Sequence, residues 1–443
     1  MIRELRTLLG HDAVLEPSAA YEQDATEGRG VRGRADAVVL PGRAADVATA
    51  LAWCYEHDVP VVPRGGGTGY AGGAVPCDGG VVLGTERLRA VRSLDPLLWR
   101  ATFEAGLPTG HVHRLARESG LYYPPDPGAA EASHLGGNVA TNAGGPHAFL
   151  HGVTGHWVTG LEVAVAPGEL IHVGGHTRKD VGGYDLRSLF VGSEGTLGIV
   201  TAVDLRLIPA PEAALPVVAS YPDVAAGCAA VEAVYGSGLR AAALEYLDAA
   251  TMAAAGQDTG FTVIAEAQGT VEEAARLRSA LAEALAEGAS SLQEPAADAL
   301  WRWRGGVSIA VTALRGGKVS EDIAVPVDRL REAIERTVEI GAHHGLDACS
   351  WGHAGDGNLH STFLVARDDL PGLERAAAAA GDLHALAVEL GGTVTGEHGL
   401  GLLRSGELAR QWGGRALDLH EAVKRAFDPK DLINPGKKRA RAC

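Results

Sequence analysis

Apolar residues follow two different spacings along this chain. Ala37 to Leu40 and Val59 to Val62 are apolar runs of strand length, and between them Ala44 to His57 carries helical spacing, so residues 36–62 read strand, helix, strand. Onward to about 208, apolar strands such as Gly160 to Val165 and Gly198 to Leu207 alternate with glycine-rich loops at 64–73, 136–145 and 192–198, with few long helices. The texture changes near Pro209-Ala-Pro211, and a boundary is expected at about 208–214, where the proline pair marks a linker. Beyond it, Ala-rich amphipathic helices over 222–236, 270–287, 327–345 and 373–391 alternate with short β runs, Thr262 to Glu266, Asp347 to Trp351 and Asn358 to Val365. That is the pattern of an antiparallel sheet covered by helices on one face, and the fold class it predicts is α+β. The segment 406–438 closes on Phe427-Asp-Pro-Lys-Asp-Leu-Ile-Asn-Pro-Gly, whose two prolines forbid a continued helix.

Composition narrows the function class. With 39 Lys+Arg against 55 Asp+Glu the 443-residue chain carries −16, and its basic run is the short tail Lys437, Lys438, Arg439, Arg441, which disfavours nucleic-acid binding. No apolar run reaches the roughly 18 residues of a membrane span, so membrane contact is expected only through a partner. The five cysteines, Cys54, Cys77, Cys228, Cys349 and Cys443, show no metal-knuckle spacing, and a reduced, cytoplasmic compartment is the expectation.

Sixty glycines are about twice the usual share of roughly 7%, and they gather in the loops. The first loop, PRGGGTGYAGG over 63–73, contains Gly67-Thr-Gly69-Tyr-Ala-Gly72 and so matches a dinucleotide fingerprint. A Rossmann reading would need a helix directly afterwards, whereas here a proline, two more glycines and a new β run follow. The alternative is a nest of successive amide N–H groups around a pyrophosphate. Together with GGNVATNAGG over 136–145 and the loop leading to Ile199, it points to a large phosphate-containing cofactor.

A second constellation lies in the C-terminal half. Trp351-Gly-His-Ala-Gly-Asp-Gly-Asn-Leu-His360 sets His353 and His360 seven apart, and Gly396-Glu-His-Gly399 sets Glu397 beside His398. Two imidazoles and a carboxylate suit a catalytic divalent metal, Zn or Mn, with an open position; with 17 histidines in the chain, ordinary turn residues are the competing reading. Asp356 and Asn358 read as orienting partners of the imidazoles or as turn formers.

These loops, the PPDPG of Pro124 to Gly128, the stretch Lys179 to Pro209 and FDPKDLINPGK over 427–437 resemble, in order and spacing, the FAD-binding oxidoreductases of the vanillyl-alcohol oxidase / p-cresol methylhydroxylase superfamily. The resemblance covers nearly the whole chain. Within that superfamily they are similar to the branch of D-lactate dehydrogenase, D-2-hydroxyglutarate dehydrogenase and the glycolate oxidase FAD subunit. It implies a p-cresol methylhydroxylase-type FAD domain of two α+β subdomains over 1–210, a substrate or cap domain over 211–405, and a segment 406–443 returning to the FAD domain. It further implies that Pro63, Arg64, Gly65, Gly66, Gly67, Thr68 and Gly69 hold the pyrophosphate. Pro124, Asp126, Gly137, Asn138, Thr141, Gly144 and Gly145 would line the flavin and ribityl region. Glu194, Gly195, Gly198 and Ile199 would meet the adenine side, and Asn434 would return to the flavin. Covalently flavinylated relatives carry a histidine where Thr68 stands, so FAD is expected to be non-covalent.

The same resemblance makes His353, His360 and Glu397 metal ligands, His398 the substrate's acid/base and Arg304, rather than Arg302, the holder of the substrate carboxylate, against the reading of both arginines as a solvated rim. Ser320 falls near the place where 2-hydroxyglutarate enzymes carry a lysine, which disfavours a dicarboxylate substrate. The expected activity is FAD-dependent oxidation of a small D-2-hydroxy acid such as lactate or glycolate. Electrons would pass to a quinone, cytochrome, electron-transfer flavoprotein or iron–sulfur partner, and a homodimer is the assembly to look for. An oxygen-reducing alcohol or sugar oxidase, a flavin-using lyase of the alkyl-dihydroxyacetone-phosphate synthase type and a non-catalytic FAD-carrying subunit are the alternatives.

Overall fold

The computed structural model describes residues 1–26, 29, 31–77 and 79–438. Arg439, Arg441 and Cys443 lie outside them; Cys54, Cys77, Cys228 and Cys349 are free thiols.

Three main sheets carry the structure. In the first, Ala37–Val39 and Val61–Arg64 run parallel on either side of Val81–Gly84, with Val14–Leu15 at the edge. The helix Ala44–Glu56 crosses between the parallel strands and buries Val47, Ala50, Leu51 and Cys54 against them. The run from Gly65 to Gly80 forms turns and bends among its described residues, with no helix after the glycines, so the Rossmann alternative is absent from the geometry. The second sheet is antiparallel throughout, in the order Val91–Asp95, Arg100–Glu104, Ile199–Arg206, Val158–Val165, Glu169–Gly174.

One sequence expectation is corrected here. The glycine-rich stretch 136–145 is not wholly loop: Leu135–Thr141 is a helix, closed by Asn142 at φ 54, and buries Leu135 and Val139. Of its two early glycines only Gly136 is required by a close neighbour; a Cβ on Gly137 would meet just the Gly65 Cα at 3.8 Å. A methyl on Gly136 would lie 2.6 Å from the Ala105 side chain.

The third sheet has seven antiparallel strands, ordered Ser291–Gln293, Ala213–Tyr221, Phe261–Gly269, Ala243–Leu247, Asp347–His353, Asn358–Leu364, Lys318–Ala324. Alternation along each strand sorts its residues between two faces. Leu244, Tyr246, Val263, Ala265, Ile323, Leu359 and Phe363 pack under the helices Val224–Gly236, Val271–Leu285, Leu330–His343 and Leu370–Glu389. The opposite face is not bare, as one-sided covering would require. The helix Ala297–Ala313 packs there through Leu300, Val307 and Val311 against Leu247, Ile264, Cys349 and Trp351. The remaining residues of that face are polar and buried: Glu245, Glu266, Ser320, Asp322 and His353.

The C-terminal segment clasps the first sheet. After the helix Gly414–Phe427, the Ile433 backbone pairs with Val61, and the Asn434 amide donates to Val61 at 2.7 Å. Asp428 closes the turn, accepting from Lys424 Nζ at 2.6 Å, the Ile433 amide at 2.7 Å and the Tyr55 hydroxyl at 3.2 Å. Removing a buried partner of an ion pair strands the other charge. Asp428→Ala is therefore expected to lower unfolding stability by about 3 kcal/mol, read as an earlier midpoint in urea titration.

Candidate active site

A single cavity of about 460 Å³ joins the first and second sheets to the polar face of the third. From the N-terminal half it is lined by the loop 63–69, by Asp126, Gly137, Asn138, Thr141 and Gly145, and by Glu194, Gly195, Gly198 and Ile199. From the C-terminal half come Trp301, Arg304, His353, His360, Glu397 and His398. Of the residues expected at the cofactor, Pro124, Gly144 and Asn434 do not line it, nor do Arg302, Asp356 and Asn358 from the other half. Asn434 instead ties loops together, its Nδ2 donating to the Gly73 and Glu194 carbonyls at 2.9 and 2.8 Å. Gly144 lies behind Glu397: a Cβ there would come within 2.9 Å of its carboxylate.

The glycines do two jobs. Some permit loop-on-loop packing: a Cβ on Gly66 would lie 2.0 Å from the Ala132 carbonyl oxygen, and one on Gly65 3.3 Å from the Gly137 Cα. The rest is exposed amide. Among the described residues, no acceptor meets the N–H groups of Gly65, Gly66, Gly67, Thr68 and Gly69, five successive residues of the cavity lining. Half-buried amides left unmet ask for an anion, and this run fits the pyrophosphate of FAD. Asn138 and Glu194 contribute less through their side chains than expected. The Asn138 amide turns inward to Thr109 Oγ1 at 2.5 Å, and the Glu194 carboxylate accepts from the Leu400 and Gly401 amides at 3.0 and 2.6 Å.

The imidazoles converge on one carboxylate oxygen. Glu397 Oε1 is 3.6 Å from His353 Nε2, 3.6 Å from His360 Nε2 and 3.9 Å from His398 Nε2. His360 stacks on His398 at 5.3 Å, and the Tyr70 ring meets His398 at a tilt, 4.7 Å away. Burial, then the neighbouring His398, pushes His360 down to about 3, so its ring is neutral with lone pairs to offer. His353 is the reverse case: burial disfavours its charge, but Glu245 and Glu397 outweigh that and hold its pKa well above normal. The same surplus of negative charge favours a cation at Nε2. The donor set of two imidazoles and a carboxylate therefore fits a divalent metal. Asp322, His360, Glu397 and His398 also lie within 4.8 Å of one another. Asp322 is already saturated, accepting from the Glu397 and His398 amides at 2.9 and 2.7 Å, Thr395 Oγ1 at 2.8 Å and Asn358 Nδ2 at 2.7 Å, which makes it the anchor of the Glu397–His398 turn.

Glu245, Glu266 and His147 join the site without having been singled out in the sequence, whereas Arg304 was. Glu245 is fully buried and shared, accepting from His353 Nδ1 at 2.5 Å and Arg304 Nη2 at 2.6 Å. Arg304 Nε, also buried, has no partner among the described residues and stands at the cavity. His147 bridges the halves, donating to Asp126 Oδ2 at 2.6 Å and Glu266 Oε1 at 2.8 Å, while Glu266 Oε2 accepts from Trp301 Nε1 at 2.5 Å. None of the three stood in a motif; only the strand alternation that buries Glu245 and Glu266 beside apolar neighbours could have flagged them.

Burial alone would lower the His147 pKa, but Asp126 and Glu266 raise it to about 10. A folded-state pKa above the unfolded one stabilises fully below about 6.5, and this contribution fades as pH rises towards 10. In His147→Gln, unfolding stability is expected to fall less between pH 6.5 and 10 than in the unsubstituted protein, measured by denaturant titration at both pH values.

Comparison with known proteins gives the same architecture. Residues 35–174 match the FAD binding domain family, and residues 210–438 match the FAD linked oxidases, C-terminal domain. The chain is 37% identical to glycolate oxidase subunit GlcD of Bacillus subtilis, over 91% of this chain and 88% of that one. It is 32% identical to a probable mitochondrial D-lactate dehydrogenase of Danio rerio, over 99% of this chain and 91% of the other. Its fold is similar to that of substrate-bound p-cresol methylhydroxylase, with a TM-score of 0.83, 18% identity, and coverage of 98% of this chain and 95% of that one.

Proposed function

Because the chain belongs to the FAD-linked oxidases and is an FAD-linked hydroxy-acid oxidoreductase, we propose that it dehydrogenates a small D-2-hydroxy acid of the lactate or glycolate size, with help from a divalent metal, and passes the electrons to an acceptor other than NAD. The observation that carries this reading is the cavity itself, where five unmet backbone amides and a three-imidazole, one-carboxylate cluster line one space.

The amides of Gly65 to Gly69 would hold the pyrophosphate of FAD, and His353, His360 and Glu397 would hold the metal. When bound, FAD accepts the hydride from the substrate Cα, and the metal lowers the pKa of the hydroxyl it meets. The chain's own residues do the rest. Arg304, with Nε unmet and Nη2 fixed by Glu245, binds the substrate carboxylate by charge-assisted hydrogen bonds. His398 takes the hydroxyl proton at Nε2, the nitrogen that faces Glu397. The product is the 2-oxo acid, two electrons and two protons poorer than the substrate.

Substrate size follows from the wall around Arg304, on whose own helix face Trp301 and Ser308 lie one turn away. Trp301, Trp351 and Ser308 line it, and Lys318 Nζ donates to Ser308 Oγ at 2.6 Å while lying 5.0 Å from the Trp351 ring. That arrangement favours one carboxylate and a short tail. A partner subunit fits the relative's designation as a subunit, and supports an acceptor delivered by another protein.

The test is anaerobic reduction of the yellow protein by a panel of D- and L-2-hydroxy acids. Bleaching by short D-acids, lost on chelation and restored by Zn or Mn, is expected. Bleaching that survives complete metal removal would remove the metal, and product formed without an electron acceptor would favour the lyase. His398→Ala is expected to keep FAD and lose at least a hundredfold in reduction rate; an unchanged rate would remove His398 as the base.

A further inference from the structure

A second cavity, of about 360 Å³, lies on the five-stranded sheet and shares no lining residue with the first. Its lining is Leu97, Leu98, Trp99, Arg100, Thr159, His176, Arg178, Leu205 and Arg206, three arginines and a histidine with no carboxylate. This is an unusual lining for a chain of net charge −16. Arg178 and Arg206 make no ion pair among the described residues; each instead lies against a tryptophan, Arg178 at 5.9 Å from the Trp99 ring and Arg206 at 4.7 Å from Trp157. Arg100 has a weak partner, Asp95 at 3.3 Å, and His176 faces Asp204 at 3.7 Å.

The rim is apolar and stands out from the surface. Leu97, Leu98 and Trp99 form the turn between the strands Val91–Asp95 and Arg100–Glu104, and Leu97 is 85% exposed. Trp99 sits at φ 52, a left-handed conformation that bulky residues rarely adopt. The paired strands behind it hold the turn in place. The loop that brings Arg178 to Trp99 also carries Val181 and Tyr184, 98% and 97% exposed.

We propose that this face docks the protein on an anionic lipid surface, with Leu97, Leu98 and Trp99 entering the headgroup region and Arg100, Arg178 and Arg206 receiving lipid phosphates. Protruding aliphatic and aromatic side chains over a basic pocket are what an acidic bilayer surface recognises. Charge selects this occupant: a −16 molecule is repelled by such a surface everywhere except at a local basic patch. The docking is interfacial, since no helix among the described residues is long and apolar enough to cross a membrane. It would replace contact through a partner alone with direct contact by this chain. The inference is independent of the substrate and the metal.

The test is co-sedimentation of the full-length, FAD-loaded protein with vesicles of phosphatidylcholine alone or mixed with phosphatidylglycerol. Binding to the mixed vesicles only, weakening with added salt, is expected. R178S/R206S should reduce partitioning roughly thirtyfold, about fivefold per arginine, and L97S/L98S should abolish it, while flavin content and anaerobic reduction by substrate stay unchanged. Absence of binding to either vesicle, binding that both variants retain, or displacement of the lipid by free phosphate alone would overturn the proposal. So would a shift from dimer to monomer in L97S/L98S, which would make this face an interface between two copies.

Discussion

A carboxylate withdrawn from water has to be met by donors, and Glu245 organises the site through that requirement. Fully buried in the strand Ala243–Leu247, it is met by His353 on one oxygen and Arg304 on the other. The histidine comes from the neighbouring strand and the arginine from the helix Ala297–Ala313, so one carboxylate fixes two elements against each other. It also sets their chemistry. A proton on His353 Nδ1 directs Nε2 to Glu397, and an Nη2 held by Glu245 leaves Arg304 Nε for a ligand. Asp322 does the same for the turn after Thr395, collecting the Glu397 and His398 amides.

These contacts depend on the cavity being closed from the other side. The polar face of the seven-stranded sheet would be costly if wet on one side and unpaired within, and the glycine loops of the N-terminal half cover it. His147 joins the two, bonded to Asp126 below and Glu266 above, and Trp301 is drawn in by the same carboxylate. Gly144 is small because Glu397 needs the space. The glycine loops and the imidazole cluster are thus packed to each other, which is how residues from 24 to 398 come to share one cavity.

What was legible in the sequence was what local geometry determines. Glycine clusters mark backbones that must touch, and His353, His360, Glu397 and His398 announce themselves because polar residues crowd between glycines. The helix Leu135–Thr141 was hidden by those same glycines, whose low helix propensity is overridden by packing against Ala105. Glu245, Asp322 and Glu266 were not legible. Glu245 and Glu266 are single acidic residues among apolar strand neighbours and Asp322 stands beside Glu321, and the role of each exists only once register and crossing helices bring partners from 35 to over 100 positions away. Asn434 shows the converse: its motif pointed to the flavin, and in the structure its side chain ties Gly73 to Glu194 rather than lining the cavity.

Glu245 is the joint between the imidazole that would hold the metal and the arginine that would hold the substrate. Glu245→Gln keeps the size and one acceptor but removes the charge. Metal content per chain, measured by elemental analysis after dialysis against Zn or Mn, should fall severalfold, and the KM for the 2-hydroxy acid should rise about tenfold or more, with FAD content unchanged. Wild-type metal content together with a wild-type KM would contradict it.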